Sequence, residues 1–185
     1  MRTFISVELP DEIKEKIAKI IDVLGEAGPG IKWVEKKNLH ITLKFLGWVP
    51  DEKMNDVSGL VKKASEGAKI FNAKFEELGT FPSGRHPRVI WIGTSKGAPE
   101  LKNLADSIEK IMSKAGYRSE EREFAPHITI GRVKEKKNMD ELLKSIEVNK
   151  DSKFGETVVG EICVMKSALS PKGPIYEIVE KVRLS

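Results

Sequence analysis

Asn38-Leu39-His40-Ile41-Thr42-Leu43-Lys44-Phe45-Leu46-Gly47 decides the fold of this chain, because its His-x-Thr followed by an apolar residue recurs once, as His127-Ile128-Thr129-Ile130. Two of the three histidines thus sit in matching frames, 87 residues apart. On a β-strand successive side chains face opposite ways, so His40 and Thr42 share one face while Ile41 and Leu43 share the other. His127 and Thr129 stand in the same way against Ile128 and Ile130. The apolar partners belong to a core, which holds each imidazole and its neighbouring hydroxyl on a rigid element. Two imidazoles placed together suit a reaction that needs one acid and one base near neutral pH.

Outward from these strands the periodicity changes from two to 3.6 and back several times. Arg2 to Leu9 alternates as a strand, and Pro10-Asp11 opens a helix with Ile13, Ile17, Ile20, Ile21 and Leu24 on one side, ending near Gly25. A short strand at Ile31 to Val34 precedes the His40 strand. Pro50-Asp51 then opens a second helix carrying Met54, Val57, Leu60, Val61 and Ala64, with Gly67 as its stop. Strands are predicted for Ile70 to Leu78 and Arg88 to Gly93, separated by a Pro- and Gly-rich loop that contains Arg85 and His86. A third helix over Pro99 to Ala115 leads to the His127 strand, read from Glu123 to Gly131. A short helix over Met139 to Ile146 and strands at Phe154 to Val159, Glu161 to Leu169 and Ile175 to Leu184 complete the chain. The class is α+β. One His-x-Thr strand in each half of the chain suggests two pseudo-symmetric lobes, each an antiparallel sheet with helices on its outer face, with the histidines in a central cleft. Residues 1–185 are expected to form one bilobal domain.

With 185 residues and 39% hydrophobic content the chain can bury a sizeable core, which excludes a disordered protein. Cys163 is the only cysteine, so no intramolecular disulfide and no cysteine-based zinc site can form, and a reducing compartment fits. No apolar run approaches the roughly 20 residues of a membrane helix, and the N-terminal run is too short for a secretory segment, so a cytoplasmic, non-membrane protein is expected. The 32 basic and 28 acidic residues give a net charge of +4, which permits a nucleic-acid partner without requiring one. There is no GxxxxGK[ST] loop, and Gly25 to Gly30 lacks the phosphate-binding lysine, so ATP-driven chemistry is not expected.

Several blocks together resemble the 2H phosphoesterases, and among them the RNA 2′,3′-cyclic phosphodiesterases also called 2′-5′ RNA ligases. They are the opening Arg2-Thr3-Phe4-Ile5-Ser6-Val7, the two His-x-Thr segments with their flanks, Arg88-Val89-Ile90-Trp91, Pro126 to Arg132, and Ser170-Pro171-Lys172-Gly173-Pro174-Ile175-Tyr176. The resemblance implies hydrolysis of an RNA 2′,3′-cyclic phosphate end to a 2′-phosphate. His40 would be the proton donor, His127 the proton acceptor, and Thr42 and Thr129 the hydrogen-bond donors to the phosphate oxygens. No metal and no other cofactor would take part, and ATP-independent 2′-5′ joining would be the reversal of 2′-5′ phosphodiester cleavage. The implied partner is RNA with a cyclic-phosphate end, tRNA fragments among the candidates, and the default state is a monomer.

Phe45 and Arg132 both lie five positions after their histidine. Strict alternation sends them to the core face, whereas the resemblance makes them a clamp on the nucleobase, and a bulge at Gly131 would reconcile the two for Arg132. Alternation places Lys44 on the His40 face, as a cation for the phosphate, while Tyr176 follows a Gly-Pro turn and is expected at the border of the cleft. His86 reads as a surface residue. Two other functions remain open: a phosphodiesterase of a small cyclic nucleotide, and an RNA-end-binding module without turnover.

Overall fold

The computed structural model describes residues 1–185. In chain order the elements are β1 (Arg2–Glu8), α1 (Asp11–Ala27), β2 (Ile31–Trp33), β3 (His40–Trp48), α2 (Met54–Ala64), β4 (Phe71–Phe81), β5 (Val89–Thr94), α3 (Ala98–Lys114), β6 (His127–Val133), α4 (Met139–Val148), β7 (Lys153–Val159), β8 (Glu161–Ser170) and β9 (Gly173–Arg183). Each predicted helix and strand is present. In α1 the buried side chains are Ile13, Ile17, Ile20 and Leu24, the spacing of one helical stripe. Asp11 and Glu12 in its first turn favour the positive end of the helix dipole. The His127 strand starts at His127 itself rather than at Glu123, because Pro126 has no N–H to give a ladder.

All strand pairs are antiparallel and run in the order β7-β4-β5-β6-β3-β1-β8-β9, with β2 paired to β6 beside β3. The sheets of the two lobes therefore join edge to edge through β6 and β3, and the histidine face is one continuous surface. The lobes are interleaved along the chain rather than being its two halves. α1 packs on β2, β7 and α4, while α2 and α3 pack on each other and on β3, β8 and β9. α1 and α3, the two 17-residue helices, thus cover the lobe opposite to the strand that precedes them, whereas α2 stays on the lobe of β3. A core of 36 buried residues fills the helix side of the sheet. A smaller group on the other face, Phe4, Cys163 and Met165, packs with Tyr176.

Both histidine strands carry a bulge at the same place. β1 pairs Ser6 with Thr42 and Ile5 with Lys44, leaving Leu43 extra. β5 pairs Trp91 with Thr129 and Ile90 with Gly131, leaving Ile130 extra. The extra residue resets the alternation, so from the histidine onward both strands show the same burial sequence, with the fourth and fifth residues buried and the sixth exposed. Phe45 and Arg132 consequently turn to the histidine side. Lys44 is corrected in the opposite direction: it points into the helix side, away from the histidines. Its side chain is 4% exposed, its Nζ lies 2.5 Å from Glu109 Oε2 of α3, and it donates to the Arg118 carbonyl at 3.0 Å.

An ammonium withdrawn from water depends on its partner, and removing the partner alone leaves a buried charge unpaired. Glu109→Ala is expected to lower unfolding free energy by about 2 kcal/mol in urea denaturation, below the usual cost of a fully buried pair because Glu109 is partly exposed. Lys44→Met, which removes the charge and keeps the volume, is expected to cost under about 1 kcal/mol.

Candidate active site

β3 and β6 meet through the pair Ile41↔Ile128. Antiparallel counting from that pair sets His40 opposite Thr129 and Thr42 opposite His127, so each imidazole faces the hydroxyl of the other strand. Directly opposed side chains stand about 4.5–5.5 Å apart at Cβ. Ile41 and Ile128 turn to the core between them, both fully buried.

The two rings are oriented by the same device. His40 Nδ1 is 2.6 Å from the Asn38 carbonyl, and His127 Nδ1 is 2.7 Å from the Ala125 carbonyl. A carbonyl only accepts, so each Nδ1 carries a hydrogen and each Nε2 is left for chemistry. Asn38 is itself buried and its Nδ2 donates to the Pro174 carbonyl at 3.0 Å, which ties the entry to β3 to the β8–β9 hairpin. His40 Nε2 lies 2.8 Å from Thr42 Oγ1. Aromatic rings wall both imidazoles. Phe4 is 5.0 Å and Tyr176 5.4 Å from His40, the latter edge-on, and Phe81 stands edge-on at 5.3 Å from His127. Phe81 rests in turn on Trp91 at 5.2 Å, and Trp91 lies over Gly79, where an added Cβ would be 2.1 Å from the indole.

Burial pushes both histidines below the ordinary imidazole range. The other influences differ. His40 is raised in part by its bond to Asn38 and by the carboxylate of Glu8, its cross-strand partner on β1, and lowered by Lys14 and Arg132. His127 is raised by its bond to Ala125 and lowered by Arg132, with no carboxylate acting on it. Burial also raises the Tyr176 hydroxyl, which stays a donor. The Cys163 thiol is pushed up to about 12, first by burial and then by Glu8 and Glu161, so it is no nucleophile.

The histidines, both threonines and Tyr176 are thus brought together, with Phe45 on the same face, 63% exposed and its ring 6.1 Å from Phe4. Arg132 is exposed and its charge reaches both histidines and Tyr176. Arg85, His86 and Arg88 are exposed. Phe4 and Trp91 belong to blocks that carry the resemblance, but the sequence assigns neither of them, nor Glu8 or Phe81, to the site. Alternation set Phe4, Ser6 and Glu8 on one face of β1, but no local pattern names the strand that β1 lies beside. No group of three or more His, Cys, Asp or Glu side chains gathers as a metal site, and no helix is long and apolar enough to cross a membrane. A groove of about 450 Å³ lies elsewhere, between α1 and α4, and another of about 470 Å³ borders Glu8 without touching either histidine.

Residues 9–170 match the family model of the 2′-5′ RNA ligase superfamily. The chain is 42% identical over 181 residues to the RNA 2′,3′-cyclic phosphodiesterase of Methanocaldococcus jannaschii, covering 98% of this chain and 99% of that protein. It is 35% identical to the protein of the same name from Methanothermobacter thermautotrophicus, covering 100% of this chain and 99% of the relative. Among solved structures it is similar to Escherichia coli LigT complexed with 3′-AMP, with a TM-score of 0.79, 26% identity, and coverage of 100% of this chain and 98% of that one. With relatives aligned along nearly its whole length, this chain belongs to the 2′-5′ RNA ligase superfamily.

Proposed function

We propose that this protein is a phosphodiesterase that opens 2′,3′-cyclic phosphate ends of RNA to 2′-phosphates, working as one bilobal unit. The observation that carries it is the pair of Nε2 atoms, each freed by a carbonyl at Nδ1, on strands that face each other across one seam. Relatives of matching length that bear the name RNA 2′,3′-cyclic phosphodiesterase support the substrate class. Opening the ring requires water to lose a proton and the departing 3′ oxygen to gain one. His127 takes the proton from the water, which attacks phosphorus in line, and His40 delivers one to the 3′ oxygen as its bond to phosphorus breaks. Thr42 and Thr129 donate to the non-bridging oxygens, and Phe45 and Arg132 hold the base.

The charges support this division of roles. A bound phosphate anion raises both imidazoles; burial lowers both and Lys14 lowers His40 further, while Glu8, its cross-strand partner, raises His40 alone, and we assign the proton to His40 on the strength of that carboxylate. Protonation has a second effect there. Neutral Nε2 accepts the Thr42 hydroxyl hydrogen across their 2.8 Å contact; protonated Nε2 donates instead, and the hydroxyl hydrogen is released to the phosphate. With a 5′-hydroxyl in place of water the same ring opening joins two ends through a 2′-5′ link: His127 takes the hydroxyl proton, the bond from phosphorus to the 3′ oxygen breaks, His40 protonates that oxygen, and ring strain drives the step without ATP.

Incubation of a short RNA ending in a 2′,3′-cyclic phosphate, with EDTA present, is expected to give the 2′-phosphate isomer, and His40→Ala or His127→Ala to slow it by about 10²–10⁴. Turnover abolished by EDTA would overturn the metal-free mechanism, and binding by all three proteins without turnover would make this an RNA-end-binding module. In the pH dependence of kcat, the basic limb reports the acid and the acidic limb the base. Glu8→Gln removes a charge that raises His40, so the basic limb is expected to move to lower pH while the acidic limb stays. Movement of the acidic limb instead would exchange the two histidine roles.

A further inference from the structure

Beyond Phe45 the histidine face of β3 continues to a second exposed aromatic. β1 pairs Phe4 with Phe45, Thr3 with Gly47 and Arg2 with Trp48, so Leu46 is a further extra residue, followed by Gly47 at φ 73°. β1 itself alternates without a break: Thr3 turns to the helix side, where its hydroxyl meets Met54 Sδ, and Arg2 shares the side of Phe4 and Glu8. Trp48, opposite Arg2, therefore lies on the histidine face. It is 76% exposed, and Arg2 is exposed with no carboxylate within ion-pair distance. Their positions relative to the histidines are ordered. Phe45 and Trp48 are set two β1 residues apart, about 7 Å along the strand, which is the reach of one nucleotide in an extended single strand.

The matching place on the other strand has the opposite character. Eight residues after His127 comes Glu135, an acid ion-paired with Lys137, where eight residues after His40 comes Trp48. An anionic strand leaving the centre meets a carboxylate just beyond the end of β6, and an indole with a free guanidinium at the end of β3.

We propose that Trp48 and Arg2 form a second nucleotide subsite, in which Trp48 stacks on the base 5′ to the terminal one and Arg2 pairs with the phosphodiester between them. The subsite rests on the reading that the cyclic phosphate lies between His40 and His127. The order histidine, Phe45, Trp48 along β3 then matches the order cyclic phosphate, terminal base, next base, and the substrate is single-stranded RNA laid along β3. An indole offers any base a stacking face, so the preference is for length and not for sequence.

The test compares a dinucleotide ending in a 2′,3′-cyclic phosphate with a nucleoside 2′,3′-cyclic phosphate. Wild type is expected to show the lower KM for the dinucleotide, and Trp48→Ala to raise the ratio of dinucleotide to mononucleotide KM about tenfold, with Trp48→Phe retaining most of the preference. Arg2→Gln is expected to flatten the salt dependence of dinucleotide KM. Quenching of tryptophan fluorescence by a short RNA bearing a 2′-phosphate end is expected in wild type and to shrink in Trp48→Phe. An unchanged KM ratio in Trp48→Ala, quenching that persists fully in Trp48→Phe, or a wild-type dimer that Trp48→Ala dissociates would overturn the subsite. If wild type hydrolyses neither compound, the phosphodiesterase reading fails separately, and the quenching titration still decides for or against the subsite.

Discussion

The antiparallel pairing of Ile41 with Ile128 is the only strand pairing between the two lobes, and the geometry of the site depends on it. Because side chains alternate with period two, slipping either strand by one residue would send a histidine and a threonine into the core and two apolar residues out to water. Ile41, Leu43, Ile128 and Ile130 are all buried, and each such side chain is worth about 1.5–3 kcal/mol when removed from water. The register is thus fixed from behind, by apolar residues that touch no substrate. The carbonyls of Asn38 and Ala125 then fix the rings from the side. Position along the strand comes from packing, and the choice of free nitrogen comes from one hydrogen bond at each ring.

Most of this was legible in the sequence wherever the signal is local. The repeated His-x-Thr, the 3.6 spacing of Ile13, Ile17, Ile20 and Leu24, and the pairing of Phe45 with Arg132 by offset need no partner to be read. Facing was not legible, because alternation holds only along an unbroken ladder, and a bulge is set by the neighbouring strand. Gly131 gives a hint in β6, but the same position in β3 is Lys44, a residue with no bulge signal, and it was assigned to the histidine side while its ammonium sits against Glu109 on the helix side. The interleaving of the lobes was hidden for the same reason. Nothing within α1 tells that its apolar stripe will meet β7 and α4 rather than the sheet that carries β1.

The two strands share a frame and differ in the charges around it. Burial disfavours an imidazolium at both sites in the free protein, whereas an unfolded histidine near pKa 6.5 accepts a proton freely. The sign follows: folded values below the unfolded one mean that the stability present above about pH 6.5 declines as pH falls below it. On the proposed reading, a substrate phosphate reverses that preference by bringing a negative charge to two rings that otherwise resist protonation. Symmetry alone would then leave the proton shared between them. Glu8 beside His40 raises that ring and Lys14 lowers it, whereas no carboxylate acts on His127, so the two rings sit in unlike charge surroundings. The symmetric frame sets two oriented imidazoles on facing strands, and the asymmetric charges around it make them unequal, which is the basis of the proposed division of roles between them.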